Sequence, residues 1–335
     1  MTNQVKKGII IDRQTSISAI RFIAMLMIIL CHFLQYYANE LAWWFNVGVQ
    51  IFFVLSGFLY GNKAIDSPIP FFAKQFKKIL LPYYLFLIPV IVIYVIFAPE
   101  YISISSIVKS LFCAGTIDGI GHLWFIGYIL FCYLLTPFLY QIKKHIENDS
   151  AIKKVFVSIV LLALIQIVGV LVESYFDPDR ITCFIVGYII AVALKQYGQK
   201  AVNSILLLFG SVCVLMNGVR ILLKYVLLIR LDGYLAILFG FFEDYAHLAL
   251  GVTLFLIMYK LFRNIKNTAL FSASDKYSYY VYIVHQLFIL SLFSLMDVTP
   301  VNVLNWLIVL VCIFASAGVL CFVSRKLMTL TNIKA

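Results

Sequence analysis

Long apolar runs separated by short polar connections dominate the chain. Ten of them lie near 16–37, 43–61, 79–98, 123–140, 155–172, 181–194, 202–219, 245–262, 277–296 and 303–323. Most reach the length of about 20 residues that a helix needs to cross a hydrocarbon core of roughly 30 Å; the run at 181–194 is short for it. Inside lipid each segment must satisfy its own backbone hydrogen bonds, so runs of this kind predict helices. The pattern therefore predicts an all-α integral membrane protein: a bundle of about ten transmembrane helices forming a single domain over residues 1–335. Residues 220–244 break the pattern, being apolar yet carrying Arg220, Lys224, Arg230, Asp232, Glu243 and Asp244. They read as an outer amphipathic or re-entrant segment, with a pair of extra spans as the alternative.

Composition agrees with the pattern. Hydrophobic residues make up 63% of the chain and charged residues 12%, about half the charge of a soluble domain. The net charge of +11 would suit nucleic acid if it formed one patch. Instead the lysines and arginines fall in short clusters between apolar runs, at Lys6, Lys7 and Arg13, from Lys63 to Lys78, from Lys143 to Lys154, and from Lys260 to Lys276. With the N-terminus inside, these clusters all face the cytoplasm, as the positive-inside bias requires, and both termini are assigned there. The expected partner is a lipid bilayer, with no nucleic acid. No secretory signal is expected, because the first apolar run is too long for a signal core and no small-residue cleavage site follows it. The seven cysteines show no C-x-x-C and no metal-ligand spacing. They read as small buried hydrophobes, and no metal site is expected.

Ionisable groups inside the apolar runs are the candidates for chemistry. Arg21 and His32 share the first run, eleven residues apart. At 100° per residue that separation comes to about three full turns, so both lie on one stripe, roughly 16 Å apart along the axis. A cation at the membrane edge with an imidazole three turns deeper suits a charged cofactor whose reactive end enters the bilayer. The competing account is an arginine snorkelling to headgroups and a packed histidine. Lys74, Lys77 and Lys78 fall on one helical face, either a grip for phosphates or ordinary headgroup anchoring. His122 opens the fourth run beside Trp124; His285 lies on a tyrosine-rich segment and reads as a packed, hydrogen-bonded histidine. His247 sits four residues from Glu243, and His145 in a charged connection. Ser56-Gly57, inside the second run, reads as a close-packing site rather than a nucleophile.

Together these residues resemble the membrane-bound acyltransferase family 3, integral proteins that acylate surface glycans and related acceptors. Four local patterns carry the resemblance: Arg21 and His32 in a run entered through Ser18-Ala19-Ile20-Arg21-Phe22; Val49-Gln50-Ile51-Phe52-Phe53-Val54-Leu55-Ser56-Gly57-Phe58; the basic stretch before Ile79-Leu80-Leu81-Pro82-Tyr83; and Gly121-His122-Leu123-Trp124-Phe125. Tyr279-Tyr280-Val281-Tyr282-Ile283-Val284-His285 supports them near the end. One departure is plain: where the family often has two arginines three apart, this chain has Gln75 and Lys78. Lysine lacks the planar fork of arginine.

The resemblance implies a reaction. Cytoplasmic acyl-CoA, acetyl-CoA above all, would be the co-substrate, its phosphates held by Arg21, Lys74, Lys77 and Lys78 and its thioester directed towards His32. His32 would act as general base on an acceptor hydroxyl or as part of an acyl relay, and an imidazole suits either. Glu243 and Asp244 are the candidate carboxylate partners of His32, with Glu40 less well placed on its own helix; His122 and Trp124 would contact the acceptor. The implied acceptor is a cell-surface or secreted glycan or glycolipid. The implied location is a bacterial cytoplasmic membrane, with glycan-synthesis machinery as a further partner. The rival reading is a multi-pass transporter or flippase for which the Arg21/His32 stripe is a proton-coupled path. No matched broken helices in two halves favour it.

Overall fold

A computed structural model describes residues 3–171, 177–229, 231–266 and 268–330, and within them the side chains from Ser16 onward, apart from 170–171. The expectations placed on Lys6, Lys7, Arg13 and Arg230 thus lie outside the described side chains. The described residues form helices and no strands. In chain order these are α1 (Asn3–Tyr36), α2 (Ala42–Phe45), α3 (Gly48–Tyr60), α4 (Pro68–Phe97), α5 (Ile104–Leu111), α6 (Trp124–His145), α7 (Ala151–Leu171), α8 (Pro178–Tyr197), α9 (Gln199–Ile221), α10 (Tyr234–Leu261), α11 (Ala269–Ile289) and α12 (Asn302–Leu330).

Nine helical stretches among the described residues are long and apolar enough to cross a membrane. The expected run at 277–296 is the one missing from that set. Its helix, α11, starts earlier and takes in Ser272, Ser274, Asp275, Lys276 and Ser278, which lower its hydropathy. The stretch 220–244 adds no further pair of spans among the described residues. Its first part continues α9 through a π turn at Leu222–Val226, and its last part opens α10.

The chain divides into two compact units, each assembled from separated segments. The first comprises Met1–Ala24, Asn46–Ala64 and Phe138–Phe271. Its centre is α3 against α8, and glycine permits the approach. A Cβ on Gly57 would run into the Phe184 carbonyl, and one on Gly187 into the carbonyl of Val54. The two backbones therefore meet at reciprocal glycines, the packing expected for Ser56-Gly57. Phe58 packs against Phe255 and Tyr259 of α10, ring centres 5.3 and 5.2 Å away. Some of the polar groups inside this unit are paired across helices. Arg220 of α9, fully buried, donates from Nε to Glu243 of α10 at 2.7 Å, and Gln166 of α7 donates to Thr182 of α8 at 2.8 Å.

The second unit comprises Met25–Phe45, Ile65–Pro137 and Ser272–Ala335. Tyrosine hydroxyls of α4 hold its connections in place: Tyr83 donates to the Ser110 carbonyl (2.6 Å), Tyr84 to that of Leu111 (2.7 Å) and Tyr94 to that of Asp118 (3.1 Å). From α11, Tyr279 donates to the Ile79 carbonyl of α4 at 2.8 Å. Asn305, buried near the start of α12, donates to the carbonyls of Met296 and Thr299, both at 2.8 Å, and so pins the loop that follows α11. Of these, the bonds of Tyr94 and Asn305 hold the connections that lead into α6 and out of α11.

Candidate functional site

Three histidines gather within the second unit. His32 lies one turn before the end of α1, His122 in the 3₁₀ turn Gly121–Leu123 that leads into α6, and His285 one turn before the end of α11. The ring centres of His32 and His285 are 4.9 Å apart, those of His122 and His285 4.7 Å, and those of His32 and His122 6.5 Å. His122 and His285 are buried, whereas His32 is half-exposed.

Hydrogen bonds assign different duties to the three rings. Nδ1 of His32 lies 2.6 Å from Oε1 of Gln35, one turn along the same helix. An amide oxygen only accepts, so Nδ1 carries the proton and Nε2 keeps a lone pair. His122 is enclosed instead. Its Nε2 donates to the Ile283 carbonyl at 2.9 Å, and its Nδ1 is 2.5 Å from Oε1 of Gln286. The same Gln286 oxygen accepts from the His122 backbone N–H at 2.6 Å, and the Tyr282 hydroxyl donates to the His122 carbonyl. Both ring nitrogens of His122 thus lie against groups of α11, the Ile283 carbonyl and the Gln286 amide. His285 donates from Nδ1 to the Tyr282 carbonyl at 2.6 Å. No group of three or more His, Cys, Asp or Glu side chains among the described residues is disposed to hold a metal ion.

The remaining expected site residues are dispersed. Arg21 is half-buried on α1 and belongs to the first unit, as do Glu243 and Asp244. Glu243 is engaged by Arg220, while Asp244 is exposed. Glu40 is exposed just beyond α1. Lys74, Lys77 and Lys78 are all exposed near the start of α4, and Gln75 between them is buried. The expected basic face is therefore exposed, while Gln75 is not part of it. Trp124 opens α6 with its ring 5.4 Å from that of Tyr128. Cys113, in the connection between α5 and α6, is no poised nucleophile. Burial pushes its thiol above the ordinary value, outweighing the opposing effect of the Tyr83 hydroxyl.

Two neighbours of His32 were not anticipated from the sequence. Gln35 is hydrogen-bonded to its Nδ1, where a carboxylate had been sought. His285, buried and hydrogen-bonded as expected, also has its ring beside that of His32. A signal was available for the second, since Tyr282, His285 and Gln286 stand at i, i+3 and i+4 and so share a helical face.

Comparison by sequence gives one assignment. The sequence model of a family described as an acyltransferase domain matches residues 14–325, nearly the whole chain. No curated protein and no solved structure matches.

Proposed function

Because this chain belongs to acyltransferase family 3 and is a multi-pass membrane acyltransferase, we propose that it O-acylates a glycan. The acyl group comes from cytoplasmic acyl-CoA, with acetyl the leading choice. The acceptor is a hydroxyl of a cell-surface or secreted glycan or glycolipid, and the site is the bacterial cytoplasmic membrane. His32 is the general base. Its Nε2 takes the proton from the acceptor hydroxyl as the oxygen attacks the thioester carbonyl. The new C–O bond forms, the C–S bond breaks, and the electron pair leaves on the CoA sulfur, which takes up the proton. Lys74, Lys77 and Lys78 offer an exposed cationic face for the CoA phosphates. With both termini cytoplasmic, that face lies inside and the histidines lie near the outer surface, where a glycan acceptor would be met.

The observation that carries this reading is the Gln35–His32 bond. It selects the tautomer with a lone pair on Nε2 and holds the ring of the one half-exposed histidine of the three. A carboxylate is not required for that duty, because any fixed acceptor on Nδ1 sets the tautomer. The test is His32→Ala in cells, read by mass spectrometry of surface glycans. A general base supplies roughly 10²–10⁴-fold in rate, so acylation should vanish while the protein still inserts. Acylation within a few-fold of wild type would remove His32 from the chemistry.

A further inference from the structure

His285 is 0% exposed, and its Nε2 has no hydrogen-bond partner among the described residues. Because a carbonyl oxygen only accepts, the bond from Nδ1 to the Tyr282 carbonyl puts the ring's single proton on Nδ1. Nε2 is thus a buried lone pair, a group that ordinarily finds a donor. The donors closest to hand are engaged elsewhere: the Tyr282 hydroxyl bonds the His122 carbonyl, and His122 turns its nitrogens to Ile283 and Gln286. His32 is different. While neutral it has one N–H, given to Gln35. Once it takes a proton it gains a second, on Nε2, which needs an acceptor.

We propose that His285 Nε2 is that acceptor: it receives a hydrogen bond from the Nε2–H that His32 acquires on protonation. It would thereby do the work usually left to a carboxylate. The spacing suits this, because an N–H···N bond of ordinary length between two imidazoles needs ring centres about 5 Å apart, and these are 4.9 Å apart with the planes tilted by 38°. A neutral nitrogen also has an advantage over a carboxylate here. It leaves no unpaired charge in an apolar interior when His32 is neutral, and still stabilises the imidazolium when it forms. His285 is in this sense a positioning residue, acting on the substrate through His32. Among the described residues, the ionisable rings packed against the pair are His122, leading into α6, and Tyr282 on α11. The inference rests on the proposed duty of His32 as base, but its test requires no acyl donor.

The chain has five histidines, few enough to follow individually by nitrogen-15 NMR of the full-length protein in nanodiscs. In wild type, the Nε2 resonance of His285 should shift with the midpoint at which His32 titrates, while its Nδ1 resonance stays still. In His285→Leu, the His32 midpoint should fall by roughly one to two pH units, the equivalent of one charge-assisted hydrogen bond. His285→Gln, whose amide oxygen restores an acceptor, should recover at least half of that fall. A structural role alone would alter stability and leave the midpoint in place. An unchanged His32 midpoint in His285→Leu overturns the proposal; if that variant fails to fold, an Nε2 resonance of His285 that ignores the His32 titration in wild type does so. A shifted midpoint in a protein that consumes no acetyl-CoA would instead retire the acyltransfer chemistry assigned to His32 and leave this link standing.

Discussion

Gln35→Leu isolates one bond in the proposed base. The substitution keeps the side-chain volume nearly constant and removes only the acceptor at 2.6 Å from Nδ1 of His32. That bond strengthens as His32 becomes an imidazolium, because hydrogen bonds to charged groups contribute about 1.5–3 kcal/mol against about 1 for neutral pairs. Gln35 is exposed at the end of α1, so water will replace part of what is lost. The lower half of the range, about 1.5–2 kcal/mol, is then the expected loss of transition-state stabilisation, or roughly 10- to 30-fold in rate. The loss should appear in kcat and kcat/KM together, since the bond gains strength only as the proton moves. The assay is release of CoA from acetyl-CoA by purified protein, with acceptor-containing membranes present, across pH 5–9. Gln35→Glu works in the opposite direction. A carboxylate beside the ring favours its protonated form, so the base loses its lone pair at higher pH and the acidic limb of the rate profile moves upward. If Gln35→Leu runs within threefold of wild type, or Gln35→Glu leaves the acidic limb in place, the bond is incidental and His32 is not held for catalysis by it.

Other expected outcomes follow from the same structure. Lys74→Ala with Lys77→Ala should raise the apparent KM for acyl-CoA, weaken CoA binding by calorimetry, and flatten its dependence on salt, because exposed charges are screened; unchanged binding would reduce that face to headgroup anchoring. Gly57→Leu should prevent α3 and α8 from closing, since even a Cβ collides with backbone there; the thermal midpoint in detergent should drop sharply, and a stable variant would disprove the glycine contact. Arg220→Met should cost about 3 kcal/mol, the lower end for breaking a buried pair, because Glu243 keeps 24% of its side chain exposed. Arg220→Met with Glu243→Gln should be the more stable of the two, as read by thermal denaturation.

The helical fold was legible because lipid leaves the chain so few options. Apolar length alone located nine of the spans, some to within a residue or two, as at Ser16–Tyr36 and Ala42–Tyr60, while four helices run seven to eleven residues beyond the expected run at one end. It expected a span at 277–296, whereas the helix there, α11, begins at Ala269 and takes in Ser272, Ser274, Asp275 and Lys276, which keep it out of the set of apolar stretches. The extensions of α9 and α10 into 220–244 were also missed, because Arg220 and Glu243 look expensive one at a time and cancel only when paired across helices. Of the candidate site, His32 stood out as an ionisable group in an apolar run. Its surroundings did not, because Gln35 is an uncharged residue of a kind found at many helix ends. The grouping of residues 32, 122 and 285 depends on contacts that no local periodicity encodes.

That grouping also sets a timetable. His32 enters the membrane with the first helix, but the rings beside it belong to the turn before α6 and to α11, and of the three His285 is made last. At roughly 5–20 residues per second, the ~250 residues between the two histidines take on the order of 10–50 s to synthesise. His122 is made after the first third of that interval, and until its end α1 carries an imidazole whose nearer companion, His285, does not yet exist. Gln286 and Tyr282, which bond the backbone of His122, arrive in the same late helix, so the start of α6 is fastened at the same moment. A ribosome stalled before α11 would release a chain with nearly all its spans and no assembled centre. The three-histidine cluster is therefore completed only when α11 is made, a late step in the synthesis of the chain.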